Sequence, residues 1–475
     1  MEANEWESVL QHASDSVRAW GGARPAKRAA ALGRVADTLD RHADELVGIA
    51  AREVGLPEDR LRAELRRTTF QLRECAREVA EGHCLELVVD HADRHWPSGP
   101  RPDLRRTMVP LGPVVVFGAS AFPFSASVAG RDTASALAAG CSVVFKAHPA
   151  HPGLSDRTAE LVRQALREAG APKGVFDVVH GERSGRELLL DPRVKAVAFT
   201  GSASVGKQLL ALAVSREEPI PFFGGFGGIN PVFVTRCAAA RRGTEIAEGF
   251  VGALTAEGGQ LCTKPGALVV PATSVLTAVA ADTARRRGGS PLFDKRFAER
   301  YQREVAVLRE HPDVTTLVAG EPTADGHSPT LLLTTAAAVV RSPDLLAECF
   351  GPLGLVVHYD TEDELLAVAR ALPGQLTTAV QGENCDEVLL DLLPELVERS
   401  GRVVWNDWPN ELAVTPAMQH GGPYPASTAP QRTALGRGAI ARFQRPVAFQ
   451  GFPRHLLPEG LREENPLNLP RLVDL

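Results

Sequence analysis

The feature that most constrains the fold is a regular alternation of short β-branched runs with amphipathic helical patterns. Strand, helix, strand at this spacing is typical of βαβ units, in which the strands lie parallel in one sheet and helices cover both of its faces. The sequence therefore predicts an α/β fold. The runs that carry the pattern are PVVVF (113–117), SVVFK (142–146), VFDVV (175–179) and VKAVAFT (194–200).

The length of the chain and one glycine cluster indicate more than one domain. At 475 residues the chain exceeds the roughly 250–300 residues that one compact core accommodates. Apolar residues recur every three or four positions from Trp6 to about residue 83, which predicts a helical N-terminus. After FFGGFGG (222–228) the α/β alternation restarts with PVFV, and the tail from about Thr415 is rich in Gly and Pro. We therefore predict two α/β units with the glycine cluster between them.

Composition excludes several classes of protein. The longest apolar runs are interrupted within a few residues, so no membrane span is expected. Acidic residues at the N-terminus stand where an export signal needs basic ones, which predicts a cytoplasmic location. A formal charge of -6 gives no field that would attract nucleic acid. Seven scattered cysteines without a C-x-x-C pair make structural disulfides and a zinc ribbon improbable.

A phosphate-binding candidate follows the strand at 194–200. GSASVGKQ (201–208) lies between a predicted strand and a predicted helix, as a P-loop does. However, Gln208 stands where the Ser or Thr of a P-loop binds Mg²⁺. A loop of small residues at a helix N-terminus still offers backbone N–H groups and a positive dipole end to a pyrophosphate. No G-x-G-x-x-G follows an early strand. A dinucleotide bound there without a metal is the expected ligand.

Lys146 ends a predicted parallel strand, where the carboxyl ends of such strands face a ligand. Its cation could meet a ribose hydroxyl or a 2′-phosphate, and the following AHP supplies no carboxylate to repel that phosphate, so NADP is permitted and favoured over NAD. A surface lysine at a strand end is the alternative interpretation. His148 and His151 form an H-x-x-H, but the neighbouring prolines and the lack of a third ligand argue against a metal.

The chain resembles the aldehyde dehydrogenase superfamily through nearly its whole length, and most closely the α-ketoglutarate semialdehyde and NADP-dependent fatty aldehyde dehydrogenases. In this order and spacing the motifs are specific for fold and ancestry, while activity is a separate question. The motifs are VPLGPVVVFGAS, VAGRDTASALAAGC, KAHPAHPG, KAVAFTGS, GGINPVF, GGQLCTKPG, ECFGP, LTTAVQG, RVVWNDWP and HGGPYPAS.

The resemblance implies an aldehyde dehydrogenase fold, with a variant Rossmann sheet for the cofactor, a catalytic domain and an arm that builds a homodimer or homotetramer. It places the helical N-terminus and the NAD(P)-binding domain at 1–225, with 85–110 partly in the arm. The catalytic domain is then 226–414, and 415–475 is a return segment and arm.

The resemblance also implies roles for individual residues. Cys262 matches the nucleophile that adds to a small aldehyde or related carbonyl substrate. The positions implied to contact NADP or NAD are Lys146, His148, Gly201, Ser202, Glu348 and Phe350.

Two helpers of this chemistry are missing. The branch supplies an oxyanion-binding amide from an Asn in FGASNFP, but this chain reads FGASAFP and has Ala121 there. The general-base Glu of GELGS is replaced in GGFGG by Gly225. Loss of an oxyanion donor costs roughly 10²–10³ in rate, and loss of a general base costs roughly 10²–10⁴. Hydrolytic aldehyde oxidation is therefore expected to be impaired or altered.

Three interpretations of this combination stay open. The chain oxidises an aldehyde with another base, for which Glu257 is the nearest acid in sequence, although a solvated carboxylate is an equal explanation of that residue. Alternatively, the acyl group passes from Cys262 to a thiol or an amine. In the third interpretation the chain is a non-redox enzyme or scaffold, and the cysteine is a buried apolar residue. The first, an NAD(P)-dependent oxidoreductase acting through a cysteine thioester, is the preferred hypothesis.

Overall fold

The computed structural model of the chain describes residues 5–293, 295–324 and 326–474. Within them lie three sheets of four or more strands and one two-stranded ribbon. Of the helices in this part of the chain, none is both long enough and apolar enough to cross a membrane.

The predicted helical N-terminus is confirmed. Its helices bury one apolar face each, with Leu32, Val35 and Leu39 on one of them fully covered. They pack against the helices of the first sheet. The helices are α1 (Glu5–Gly21), α2 (Pro25–Arg41), α3 (Ala43–Val54), α4 (Glu58–Glu81), α5 (Arg131–Ala139), α6 (Pro152–Glu168), α7 (Glu182–Leu190), α8 (Ala203–Val214), α9 (Arg236–Thr255), α10 (Leu276–Arg285), α11 (Lys295–Arg309), α12 (Ala336–Arg341), α13 (Glu362–Ala371) and α14 (Leu389–Arg399).

The strands coincide with the β-branched runs of the sequence. They are β1 (Leu87–Asp90), β2 (Leu104–Pro110), β3 (Val114–Phe117), β4 (Val143–Lys146), β5 (Phe176–Val179), β6 (Ala196–Thr200), β7 (Phe222–Gly225), β8 (Val232–Val234), β9 (Ala267–Pro271), β10 (Thr315–Val318), β11 (Pro322–Thr323), β12 (Gly326–His327), β13 (Thr330–Thr335), β14 (Leu353–Tyr359), β15 (Thr378–Gln381), β16 (Val403–Trp405), β17 (Gln444–Gln450) and β18 (Arg471–Val473).

The first sheet has the order β5-β4-β3-β6-β7, and all its neighbouring strands are parallel. Alternate residues of β3 enter different apolar clusters. Val116 packs with residues of α5 and α6, whereas Val115 packs with residues of α7 and α8. Both faces are therefore covered by helices, as predicted. Because the strands are parallel, Lys146, Thr200 and Gly225 all lie at the carboxyl edge of this sheet.

The second sheet has the order β10-β13-β14-β9-β8-β15-β16, with only β10 antiparallel to its neighbour. One face packs against α9 and α10, and the other packs against α12, α13 and α14. The segment 260–266 leads into β9, so it enters at the amino edge of this central strand. That edge of the second sheet carries the cysteine candidate.

The third sheet joins an early segment to the tail, in the order β17-β2-β1-β18. The extended run ARFQRPVAFQGF of the tail contains β17, which pairs antiparallel with β2 of the same chain from Gln444 to Gln450. Before it, the tail passes along the end of β7. There Phe226 N–H donates to Ala426 O at 2.9 Å, and Thr428 N–H donates to Gly224 O at 3.1 Å. These bonds bring residues 420–434 next to the carboxyl edge of the first sheet.

Candidate active site

The loop that carries Cys262 is held by two glycines with left-handed backbone. Gly258 has φ 66° and Gly259 has φ 67°, a region that side chains disfavour. A Cβ on Gly259 would lie 2.3 Å from Gly351 O, so only glycine allows this close approach. The glycine pair of GGQLCTKPG therefore docks the cysteine loop against the segment that precedes β14.

Asn230 fixes the backbone around the cysteine. Its side chain is fully buried, and Nδ2 lies within hydrogen-bond distance of Gly228 O (2.8 Å), Cys262 O (2.9 Å) and Lys264 O (3.1 Å). A buried donor without a partner would cost about 1–3 kcal/mol, so these contacts hold both ends of the cysteine turn in one place. The Asn of GGINPVF is thus a structural clamp for Cys262.

Lys264 ties the cysteine loop to ECFGP. Its buried ammonium donates to Cys349 O (3.0 Å), Gly351 O (3.1 Å) and Leu353 O (3.0 Å). Three carbonyl oxygens replace the water that burial removes from the cation. Residues 348–353 therefore keep a fixed position relative to Cys262.

Cys262 lies between two cavities that open to solvent, and it lines both. The first is formed largely by residues at the ends of β6 and β7 and by the tail. The second is formed by residues of α4, of the segment after β3 and of 410–414. Burial raises the pKa of the Cys262 thiol, while the nearby cations of Arg131 and Arg67 oppose that effect. The resting side chain is a thiol that needs a base to become a nucleophile.

The side chain that contacts this thiol is His420. Its Nε2 lies 3.8 Å from Cys262 Sγ, and the ring is buried. The backbone of His420 is fixed on both sides, because its N–H donates to Thr433 Oγ1 (3.1 Å) and its carbonyl accepts from Ala434 N–H (2.8 Å). The sequence interpretation used HGGPYPAS only as a marker of ancestry and missed this residue, which is separated from the cysteine by 158 positions.

Arginines from three separate elements surround the pair, and the sequence interpretation missed them too. Arg67 comes from α4 and Arg131 from the start of α5, and each lines a cavity next to Cys262. Arg402 lies just before β16. The charge of Cys262 raises the pKa of the Arg402 guanidinium, against the larger effect of burial. Arg131 donates to Thr200 Oγ1 at 3.1 Å, but its buried Nε has no hydrogen-bond partner among the described residues. The site is strongly cationic.

The two altered positions differ in their surroundings. Ala121 is buried, and its carbonyl accepts a hydrogen bond from Arg60 Nη2 at 3.2 Å. Gly225 lines the first cavity, and a Cβ built on it would meet no atom within 4 Å. The absent Glu side chain thus leaves open space beside Cys262.

Glu257, the suggested substitute base, is paired with an arginine. Its carboxylate forms an ion pair with Arg60 at 2.5 Å, and its side chain is 39% exposed. Glu257 is not among the described residues that line either cavity next to Cys262. In this structure the titratable side chain next to the thiol is His420, and a catalytic role for Glu257 stays a prediction.

The positions implied to bind the cofactor gather at the carboxyl edge of the first sheet. The Lys146 ammonium is buried and makes no hydrogen bond or ion pair within the described residues. Ser202 is the N-cap of α8, whose first N–H groups face outward from the end of β6. A Cβ on Gly201 would lie 2.7 Å from the Phe199 ring, so glycine is required there. A buried unpaired cation beside a helix N-terminus fits an anionic dinucleotide.

His148 and His151 do not form a metal site in this arrangement. Burial lowers the pKa of His148 to about 3, and its Nδ1 accepts from Ala150 N–H at 3.2 Å. His151 is buried and bonds Ala119 O and Ser155 Oγ. Burial and the nearby cation of Lys146 thus keep the His148 ring neutral.

Glu348 and Phe350 lie on the segment that Lys264 fixes. A Cβ on Gly227 would lie 2.4 Å from a Glu348 carboxyl oxygen, so the carboxyl group packs directly against the glycine cluster. Burial raises the pKa of Glu348 to about 8. The Phe350 ring packs edge-on against Phe297 with centroids 5.6 Å apart. The structure thus brings the ECFGP segment to the same cleft as Cys262.

Comparison with known proteins identifies relatives of this chain. Residues 1–429 match the model of the aldehyde dehydrogenase family. The chain is 42% identical to α-ketoglutaric semialdehyde dehydrogenase 2 of Azospirillum brasilense over 476 residues, which cover 98% of this chain and 91% of that protein. It is 37% identical to the α-ketoglutaric semialdehyde dehydrogenase of Acinetobacter baylyi, with 94% and 86% covered.

Solved structures share the fold. Betaine aldehyde dehydrogenase of Staphylococcus aureus, solved in complex with NAD⁺, has a TM-score of 0.78 at 20% identity and covers 94% of this chain and 88% of its own. An NAD-dependent aldehyde dehydrogenase of Sinorhizobium meliloti has a TM-score of 0.76 at 25% identity, with 95% and 88% covered. The predicted fold is confirmed: the chain belongs to the aldehyde dehydrogenase family and is an aldehyde dehydrogenase-like oxidoreductase.

Proposed function

We propose that this chain oxidises a small aldehyde that carries a carboxylate, with Cys262 as the nucleophile and a nicotinamide dinucleotide as hydride acceptor. The observation that carries the proposal is the position of the thiol, at the junction of two cavities lined by Arg67 and Arg131. A cavity with one nucleophile and fixed cations suits a short substrate with one reactive and one anionic end.

The cations of the site favour a substrate with a negative charge. Burial lowers the pKa of Arg67, but a guanidinium stays protonated in proteins, so its charge needs a counter-ion. A substrate carboxylate accepts two hydrogen bonds from such a group and supplies that charge. The relatives from Azospirillum and Acinetobacter are α-ketoglutaric semialdehyde dehydrogenases, whose named substrate is an aldehyde with a carboxylate. An α-keto acid semialdehyde is therefore the first candidate.

Residues of this chain can carry out the addition to the aldehyde and stabilise the oxyanion that forms. Cys262 Sγ adds to the carbonyl carbon, and the oxyanion that forms is held by the Cys262 N–H and by the unpaired Arg131 Nε, in place of the missing amide. The bound oxidised nicotinamide supplies the hydride acceptor. The thioester that results must then be released from the sulfur by a nucleophile.

Lys146, Ser202 and Glu348 would hold the dinucleotide, at a ribose, the pyrophosphate and the nicotinamide ribose respectively. The choice between NADP and NAD follows from the charges near Lys146. Its pKa is lowered by burial and raised by Glu182, at the first turn of α7. A carboxylate in this place accepts ribose hydroxyls and repels a 2′-phosphate. We therefore propose NAD as the better cofactor, in contrast to the preference read from the sequence.

A second candidate function is acyl transfer from Cys262 to a thiol. The space at Gly225 favours it, since a Cβ there would meet no atom within 4 Å and a bulky acceptor could approach the thioester. Homodimeric or homotetrameric assembly through the third sheet and the cytoplasmic location stay predictions.

The test is a panel of aldehydes mixed with NAD⁺ or NADP⁺, with reduced cofactor followed by absorbance and products by mass spectrometry. The panel pairs α-ketoglutaric semialdehyde with pentanal, with and without coenzyme A. We expect oxidation of the carboxylate-bearing aldehyde to the free acid and none in Cys262→Ala. Equal rates in wild type and Cys262→Ala would refute the role of the cysteine, and a coenzyme A thioester as sole product would favour the second candidate.

A further inference from the structure

We propose that His420 is the catalytic base of this site, which accepts the proton of the Cys262 thiol during attack and later the proton of the water that releases the acyl group. The inference rests on the proposed function, since it assigns the base for that reaction. In this proposal a histidine of the C-terminal tail acts as the general base, a role that Gly225 cannot fill because it has no side chain.

The contact geometry supports a direct role. The Nε2 to Sγ distance of 3.8 Å is within the range of a hydrogen bond that involves sulfur. The ring lines the first cavity together with Cys262 and Gly225, so it faces the space from which water reaches the thioester. A residue that only filled the core would have no access to this space.

The backbone around His420 holds the ring in this position. The following residues Gly421 and Gly422 permit a very close approach of the tail, because a Cβ on Gly422 would lie 2.1 Å from Gln375 O. Further along, the bridge between Ser427 and Gly225 ties the tail to the end of β7. These contacts hold the backbone that carries the imidazole in a fixed position relative to Cys262 and Gly225.

The charges around the ring keep it neutral. Burial and the cations of Arg131, Arg67, Arg402 and Arg442 lower the pKa of His420 well below its usual range. These residues reach the ring from α5, α4, the segment before β16 and the segment before β17, in that order. A neutral imidazole has an open lone pair on Nε2 and can accept a proton. The lowered pKa makes this imidazolium short-lived, so it returns its proton to solvent. The cations of Arg131 and Arg67 favour negative charge on the sulfur and offset part of the cost of proton transfer.

Attack on the carbonyl carbon moves one proton and one electron pair. In the first step the S–H bond breaks, the S–C bond forms, the proton moves to Nε2 and the carbonyl electron pair moves to oxygen. The oxyanion electron pair re-forms the carbonyl as hydride leaves the carbon, for which a nicotinamide dinucleotide would supply the acceptor, and the imidazolium loses its proton to water. In the release step a water O–H bond breaks toward Nε2, an O–C bond forms, and the C–S bond breaks with its electron pair on sulfur. The imidazolium returns a proton to that sulfur.

The first test follows alkylation of Cys262 by iodoacetamide, located by peptide mass spectrometry, between pH 6 and 7.5. It needs neither aldehyde nor cofactor. In wild type the rate is expected to change little with pH, because a neutral base is already present across this range. In His420→Gln the rate should be about tenfold lower or more at pH 7 and should rise about tenfold per pH unit, since only preformed thiolate reacts.

His455→Gln is the matched control, because His455 is an exposed histidine of the tail. Its alkylation rate should equal that of wild type. Imidazole added to His420→Ala should restore part of the rate. If the variants do not fold, carbethoxylation of His420 in wild type replaces them and must slow Cys262 alkylation. Equal rates and equal pH slopes with and without a functional His420 would overturn the proposal.

The second test addresses the release step. With NAD⁺ and α-ketoglutaric semialdehyde, His420→Gln should accumulate an acyl adduct on Cys262, detected as added mass after acid quench, while wild type should not. If wild type oxidises the aldehyde through Cys262 and the variant is unchanged, the inference fails and the proposed function stands. If no aldehyde is oxidised but alkylation depends on His420, the proposed function fails and the thiol-activating role stands.

Discussion

The loop that holds Cys262 and the positions that should assist it differ in what maintains them. Asn230 and Lys264 are buried and together make six hydrogen bonds to backbone carbonyls around the cysteine. Ala121 and Gly225 stand where assisting side chains are absent, and Gly225 borders open space. The first region we call the tethered loop, and the second the helper positions.

This difference indicates which residues can be substituted without loss of the fold. Loss of a tether leaves buried carbonyls without partners, at about 1–3 kcal/mol each, so it threatens the whole domain. A side chain that projects into a cavity contributes little to stability and can change while the fold is kept. A chain of this family can therefore keep the loop around its cysteine while residues that face the cavity change.

The largest expected effect comes from breaking the tethered loop. Lys264→Met removes the ammonium from Cys349 O and Leu353 O, while Gly351 O keeps the Leu353 N–H as a partner at 2.9 Å. The free energy of unfolding should therefore fall by about 3 kcal/mol or more. Urea denaturation followed by circular dichroism measures it. Lys173→Met, at an exposed lysine, is the control and should stay within about 0.5 kcal/mol of wild type. Equal losses in the two variants would contradict the distinction between the regions.

A substitution of a cation beside the helper positions should spare stability and reduce activity. Arg67→Gln should lower kcat/KM for the carboxylate-bearing aldehyde by roughly 10–100-fold, because one charge-assisted contact is worth about 1.5–3 kcal/mol. Activity on a neutral aldehyde of similar length should be nearly unchanged. The adjacent exposed residue gives the control Arg66→Gln. A similar loss on both aldehydes would show that Arg67 does not bind the carboxylate.

Restoring the helper side chains sharpens the comparison further. Ala121→Asn with Gly225→Glu should raise hydrolytic turnover by about tenfold, since it returns an oxyanion donor and a second base. Stability should change little at Gly225, where a Cβ meets no atom within 4 Å. Gly288→Glu, where a Cβ also meets nothing, controls for added charge. A folded double variant without any gain would mean that the site no longer uses these positions.

The last difference concerns the titration of Glu348, on the segment that Lys264 holds next to the tethered loop. Burial raises the pKa of Glu348 to about 8, above the value of about 4.3 for an unfolded chain. Between these values the folded protein keeps a proton that the unfolded chain releases, so this group lowers stability as the pH rises from 5 to 8.

Glu348→Gln removes that titration. Without cofactor, the thermal midpoint of the variant should rise relative to that of wild type between pH 5 and pH 7.5, because only wild type loses stability to this titration. Differential scanning fluorimetry at the two pH values measures the change. The exposed Glu362→Gln is the control and should show no such gain. A constant difference at both pH values would show that Glu348 is ionised in the folded protein.

Much of the fold was predictable because its signals are local. The β-branched runs at β3, β4 and β6 and the spacing of apolar residues on α2 report burial directly, and the structure confirms them. The pairing of β17 with β2 was less specific in the sequence, because register between distant strands depends on the whole sheet.

The site was predictable only in part. The resemblance named Cys262 and the altered positions Ala121 and Gly225, and proximity in sequence suggested Glu257 as a substitute base. In the structure Glu257 is paired with Arg60, and the contact to the thiol comes from His420. Proximity along the chain is a poor guide to proximity across a cleft built from several elements.

Local patterns and residue identities were enough to predict the alternation of parallel strands and helices, one cysteine in a glycine-bounded turn, and Ala121 and Gly225 at the two helper positions. These are properties of local pattern and of residue identity. Only the tertiary structure decided that a histidine 158 positions away meets the thiol, and that Arg67, Arg131 and Arg402 surround the pair. The physical reason is that such contacts, and the pKa shifts that burial imposes on them, exist only after distant segments have packed together.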